Sequence, residues 1–77
     1  MTHKELEELG WKTIAIDTNS FVSRTTEEYV WLEAFYSSDT DYLQIMRAIK
    51  GPDGEILRQT IYEGKYYGID IIKQFLK

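Results

Sequence analysis

One eight-residue stretch, Tyr29-Val30-Trp31-Leu32-Glu33-Ala34-Phe35-Tyr36, limits the possible folds more than any other part of the chain. Successive side chains of a β-strand point to opposite faces. Val30, Leu32 and Ala34 then share one face, and Tyr29, Trp31 and Phe35 share the other, with Glu33 as the single interruption. A strand with one wet face alternates apolar and polar residues, whereas this one is apolar on both sides. It is expected as a central strand with something covering each face.

The flanking sequence supplies a sheet around it. Strand periodicity runs from Trp11 to Tyr62. Lys12–Asp17 places Ile14 and Ile16 on one face. Phe21–Arg24 either continues that strand past a bulge or returns as a second one, because Thr18-Asn19-Ser20 has turn chemistry. Ser37–Asp41 is a polar turn leading to a strand over Tyr42–Ile49. Pro52-Asp53-Gly54 presets φ, adds a turn former and ends on a residue free to take positive φ, which predicts a hairpin to Ile56–Tyr62.

The two ends read as helices. Thr2-His3-Lys4-Glu5 has capping-box spacing, Leu6 and Leu9 form a narrow stripe, and Gly10 stands where a left-handed cap belongs. From Lys65 to Lys77 the period is helical, with Ile69, Ile72 and Leu76 on one face and Ile71 and Phe75 flanking it. The expected fold class is α+β, as a single domain over residues 1–77. It consists of a short N-terminal helix, an antiparallel β-meander of three to five strands, and an amphipathic C-terminal helix packed on one sheet face. A chain of 77 residues buries roughly 60% of its extended surface, which suffices for one modest core.

That fold leaves one side of the central strand in question. The C-terminal helix roofs one face. The other is closed by the short first helix with Trp11 and Phe21, by a second copy in a homodimer, or by a different protein. Tyr29, Trp31, Glu33 and Phe35 are the candidate protein-binding residues, since aromatic side chains concentrate at interface hot spots. Glu33 is expected to pair with Arg47 across the neighbouring strand or to reach a sheet edge.

Charge and composition exclude several classes of function. Thirteen acidic residues against nine basic ones give a net charge of −4, concentrated in residues 1–38, while residues 39–77 balance. No run of Lys and Arg supplies the cluster a phosphate backbone needs, so nucleic acid is an unfavoured partner. There is no cysteine and one histidine, His3, which removes thiolate zinc sites, disulfides and cysteine nucleophiles. Apolar runs are far too short to span a bilayer and no secretory leader is seen, so the expected location is the cytoplasm, with no membrane partner.

Local motifs add no chemistry. Asp39-Thr40-Asp41 lacks the further ligands of a calcium loop, and Gly51-x-x-Gly54, between two strands, is a turn rather than a nucleic-acid clamp. No cofactor, metal or catalytic residue is expected. The order helix, three strands, helix resembles the double-stranded-RNA-binding domain, which opens its last helix with a lysine cluster where this chain has Lys65-Tyr66-Tyr67-Gly68. Three strands with a C-terminal helix is similar to the arm-binding domain of phage-type integrases, whose basic strand residues have counterparts in Arg47, Lys50 and Arg58. The function expected is non-catalytic protein binding by a small accessory or inhibitory protein, acting through the aromatic face. A nucleic-acid module using Arg47, Lys50 and Arg58 is the alternative.

Overall fold

Five strands dominate the chain in a computed structural model that describes residues 1–75. They are β1 (Lys12–Ile16), β2 (Ser20–Arg24), β3 (Val30–Ser37), β4 (Tyr42–Lys50) and β5 (Ile56–Lys65), with a six-residue helix α1 (His3–Glu8) and a four-residue helix α2 (Asp70–Lys73). Each strand pairs antiparallel with the next in sequence, giving one sheet in the order β1-β2-β3-β4-β5. The strand that is apolar on both sides, β3, is the middle one.

Turn chemistry fixes this meander. Asp17 and Ser20 close a tight return, with the Asp17 N–H on the Ser20 carbonyl at 2.8 Å, so the segment after Asp17 returns as a second strand. Gly51 and Glu55 close the Pro52-Asp53-Gly54 loop, and Gly54 takes φ +84°, open to glycine without strain. Asp41 holds φ +53°, a conformation Asp tolerates. Its carboxylate accepts the Tyr36 hydroxyl at 2.6 Å and its carbonyl accepts the Tyr66 N–H at 2.8 Å. The aspartate of the expected polar turn thus ties the β3–β4 connection to the end of β5.

Register sorts the side chains. Phe21, Tyr36 and Leu43 stand in one row and Ser23, Ala34 and Ile45 in the next. Against this face pack Leu6 of α1, Trp11 and Ile72 of α2, forming the core with Phe21, Ala34, Tyr36, Leu43 and Ile45. α1 ends in a Schellman cap. The Trp11 N–H reaches the Leu6 carbonyl and the Gly10 N–H reaches that of Glu7, both at 3.0 Å, with Gly10 at φ +94°. The cap drops Trp11 beside Leu6 in the core. Among the described residues the Thr2 side chain makes no capping bond, so the helix is held by its docking and its C-terminal cap.

The expected α+β fold with an amphipathic C-terminal helix is corrected. β5 does not stop at Tyr62. Leu43 pairs with Gly64 and Tyr42 with Lys65, because β4 is nine residues long and its backbone groups need partners to its end. Lys65, expected to open a helix, is therefore the last residue of a strand, and Tyr66–Gly68 belong to no helix. Beyond Gly68 the chain makes a single helical turn that buries Ile72, with Ile69, Ile71 and Phe75 half-buried against the core. The chain is mainly an antiparallel sheet with two short helices, unlike either domain it resembles in element order. The places expected of Leu76 and Lys77 lie outside the described residues. A second difference is at the edge, where a register shift at Ile14 breaks the alternation that was to set Ile14 and Ile16 on one face, and both are exposed.

Candidate functional site

Both helices pack on the same side of the sheet, so the opposite face carries no helix among the described residues. Its composition follows from register alone. Across it run the rows Ser20–Ser37–Tyr42–Lys65, Ala15–Val22–Phe35–Gln44–Glu63, Lys12–Arg24–Glu33–Met46–Thr60, Trp31–Ala48–Arg58 and Lys50–Ile56.

Trp31 and Glu33 are each only 4% exposed and Ala48 is fully buried, although none belongs to the main core. Side chains of this same face hide them. The Arg24 guanidinium lies 4.1 Å above the centroid of the Trp31 ring, a cation–π contact. It is held there by donating to the carbonyls of Thr25 at 2.9 Å and Glu27 at 2.7 Å. The loop after β2 is in turn fixed by Thr25, whose hydroxyl accepts the Leu32 N–H at 2.9 Å.

Glu33 sits at the centre of a closed set of bonds. The Trp31 indole donates to Oε2 at 2.9 Å, and Arg58 donates Nε to Oε1 at 2.8 Å and Nη2 to Oε2 at 3.2 Å. Arg58 belongs to β5 and Glu33 to β3, so the pair spans β4. Two strand spacings are about 10 Å, and Ala48, opposite Arg58, is small enough to let the arginine pass over it. Burial pushes the Glu33 carboxyl up, but the Arg58 and Trp31 hydrogen bonds, with the charges of Arg58 and Arg24, outweigh burial and hold it below 4.5. Glu33 is therefore ionised and satisfied, an anchor and not a proton donor.

Around this anchor the surface is mixed, with Val22, Phe35 and Met46 beside Gln44 and Thr60. Val22, Phe35 and Met46 are half-buried, and the Phe35 ring meets Tyr42 with centroids 6.2 Å apart. Tyr42 donates its hydroxyl to Glu63 at 2.9 Å, and Gln44 donates to Thr60 at 3.1 Å. The Glu63 hydrogen bond first, then slight burial, raises the Tyr42 phenol, keeping it a donor.

The four candidate binding residues are not equivalent. Trp31, Glu33 and Phe35 share the helix-free face. Tyr29 lies just before β3 and is 66% exposed. The Glu33–Arg47 pair does not form, because Arg47 stands opposite Leu32 on the helix-covered face while Glu33 stands opposite Met46. For the same reason the alternative trio is divided. Arg58 and Lys50 are on the helix-free face and Arg47 is on the other. Sequence reasoning did not single out Lys12, Arg24, Ala48 or Lys65. The Arg58 crossing was within its reach: the loop closed by Gly51 and Glu55 sets Ala48 opposite Arg58, and the turn after Ser37 sets Trp31 opposite Ala48. Among the described residues no cluster of His, Cys, Asp or Glu is arranged to hold a metal ion, and no helix is long and apolar enough to cross a membrane. Comparison with family models, curated proteins and solved structures finds no match to this chain.

Proposed function

We propose that this chain is a non-catalytic protein-binding protein of the cytoplasm, an accessory or inhibitory factor that occludes a partner's surface with its helix-free sheet face. One observation carries the reading: that face has no helix packed on it among the described residues, yet Val22, Phe35 and Met46 stand in its middle rows and its anchor residues are locked. Interfaces concentrate aromatic, Met and Arg side chains at their centre and leave Lys to the rim. Here Phe35, Met46, Trp31, Arg24 and Arg58 occupy the middle rows, and Lys12, Lys50 and Lys65 stand at strand ends. Phe35 and Tyr29 provide contact area, while Trp31 and Glu33 keep the surface in shape. A pre-ordered surface loses little side-chain freedom on binding. A catalytic reading has less support, since Glu33, the one buried side-chain carboxylate among the described residues, accepts three hydrogen bonds and its pKa is lowered.

The test is site-specific photo-crosslinking in cells, with a benzophenone amino acid at Phe35 or at Tyr67, which is 76% exposed. The expected result is an adduct from position 35 and none from 67, with binding of the identified protein abolished by Phe35→Asp in a variant that remains folded. An adduct of twice the chain mass assigns the face to a homodimer instead. Adducts from 67 alone, or a gel shift with oligonucleotides that disappears at high salt, refute protein binding through this face.

A further inference from the structure

We infer that the outer edge of β5 is a self-pairing surface. Two copies of this chain join antiparallel through Ile56, Leu57 and Arg58, with Leu57 against Leu57 on a two-fold axis, and their sheets become one. The pairing leaves the face that carries Phe35 open, so it does not rest on the role proposed for that face.

Its basis is a regular edge that register leaves free. β5 pairs with β4 on one side, and no strand among the described residues pairs with it on the other. The Gly51 N–H donates to the Glu55 carbonyl, and the Lys50 N–H donates away from β5 to the Tyr29 carbonyl, both at 2.8 Å. Bonded and non-bonded pairs alternate along an antiparallel ladder. Leu57 and Gln59 therefore exchange bonds with Ile49 and Arg47, while Ile56, Arg58 and Thr60 turn their backbone N–H and C=O groups to the free side. The stretch stays regular until the register shift that follows Thr60. Proteins commonly guard such an edge with a charged side chain. The charge in the middle of this one, Arg58, is turned inward over Ala48 to Glu33, and its neighbour Leu57 is 67% exposed.

An apolar row selects the occupant. Val30, Ile49 and Leu57 cross β3, β4 and β5 side by side on the helix-packed face, yet all three are exposed and none belongs to the core. The row stops at the free edge on its most exposed member, and a second copy continues it. With Leu57 opposite Leu57, symmetry sets Ile56 opposite Arg58 in both directions, so their outward groups exchange hydrogen bonds on either side of the leucine pair. Cross-strand apolar pairs of this kind stabilise sheets. Charge fixes the register. An axis at Arg58 would set two arginines directly opposite one another, which is destabilising, whereas the Leu57 axis sets Arg58 against Ile56 and Glu55 against Gln59. β1 is a poorer edge: it has five residues, a register shift at Ile14 interrupts it, and Thr13 is tied to Glu7 of α1 at 2.7 Å. Pairing β1 on β5 would also be head-to-tail and open, while β5 on β5 closes as a dimer. So short a seam buries less than the roughly 1,200 Å² of a stable complex, so the dimer is weak and its population follows concentration.

The chain has no cysteine, so a single introduced thiol can bridge only to its counterpart in another copy. Across a non-bonded antiparallel pair the Cα atoms lie about 4.5 Å apart, within the disulfide range of about 4.4–6.8 Å. The experiment combines sedimentation of the full wild-type chain from about 10 μM to about 1 mM with oxidation of Leu57→Cys in a glutathione buffer, using Tyr67→Cys as the exposed control. The wild-type mass is expected to rise with concentration toward that of two chains, and Leu57→Cys to couple about tenfold faster than Tyr67→Cys or more. Ile56→Pro removes an outward N–H that β4 does not use, and Leu57→Lys puts a charge on the axis. Both should keep the wild-type circular dichroism and stay monomeric over the whole range. A wild-type chain that is monomeric at the highest concentration overturns the inference. So does a dimer that survives both variants, one that couples no faster at position 57 than at 67, or one split instead by Phe35→Asp, which assigns the contact to the helix-free face.

Discussion

Arg58→Met tests the anchor of the helix-free face. The substitution keeps an unbranched stem over Ala48 and removes the guanidinium, leaving Glu33, 4% exposed, with the Trp31 indole as its one side-chain donor. Hydrogen bonds to charged groups contribute about 1.5–3 kcal/mol, and two are lost here. The Arg58 side chain is 47% exposed, so water screens the pair, and the expected loss near neutral pH is about 2 kcal/mol. In a chain of this size that lowers Tm by about 8–16 °C. The pH dependence is the sharper readout. In the wild type the Glu33 pKa is lowered from 4.5, so its contribution is present above that value and disappears as pH falls through the folded pKa. In Arg58→Met burial is no longer outweighed, the carboxyl moves up, and acid relieves the variant by protonating it. Urea unfolding followed by tryptophan fluorescence between about pH 7 and pH 3 should show the two stabilities converging as pH falls. A difference below about 0.5 kcal/mol near neutrality, or one constant with pH, refutes the account of Glu33.

Three further expectations concern neighbouring features. Ala48→Leu inserts a branch into the path of Arg58 and costs about 1–3 kcal/mol. In a double-mutant cycle with Arg58→Met the losses should fall short of additive, and full additivity would show that Arg58 does not cross at Ala48. The two tryptophans should respond unequally to loss of the indole N–H. Trp11 Nε1 is buried with no partner among the described residues, so Trp11→Phe should stay within about 1 kcal/mol of wild type, while Trp31→Phe strips a donor from a buried carboxylate and costs about 2 kcal/mol, both read by calorimetry. The Asp41 hydrogen bond, then burial, pushes the Tyr36 phenol up to about 12. Its stabilising contribution is complete below pH 10 and lost as pH rises toward that folded value. Phenolate absorbance should show a late ionisation that Tyr36→Phe removes, and a wild-type titration lacking that step refutes the Tyr36–Asp41 bond.

The meander was legible because its signals are local. The alternation of β3, the Pro52-Asp53-Gly54 loop and the polar turns each act within a few residues, and each formed where chemistry demands. The C-terminal helix failed because the described part of its apparent stripe, Ile69 and Ile72 with Ile71 and Phe75 flanking, is also satisfied by one turn laid on the core. A competing demand at its first residue came from elsewhere: β4 runs nine residues and takes Lys65 into β5 opposite Tyr42. That is a non-local constraint, and helical periodicity in a window of a dozen residues cannot register it. The candidate site was legible in part for a similar reason. Alternation puts Trp31, Glu33 and Phe35 on one face, but the partner of Glu33 depends on which residue two strands away arrives opposite the small Ala48.

Charge is where linear reading and folded surface diverge most. Along the sequence the acids concentrate in the first half and the second half is neutral, which suggests a molecule with one acidic end. The sheet divides the same residues by parity and register instead. Lys12, Arg24, Lys50, Arg58 and Lys65 come from four strands, and no two are closer than seven positions in sequence, yet they share a face. Arg47, only three residues from Lys50, is turned to the other side. Strand pairing alone gathers these distant cations and sends a near neighbour away.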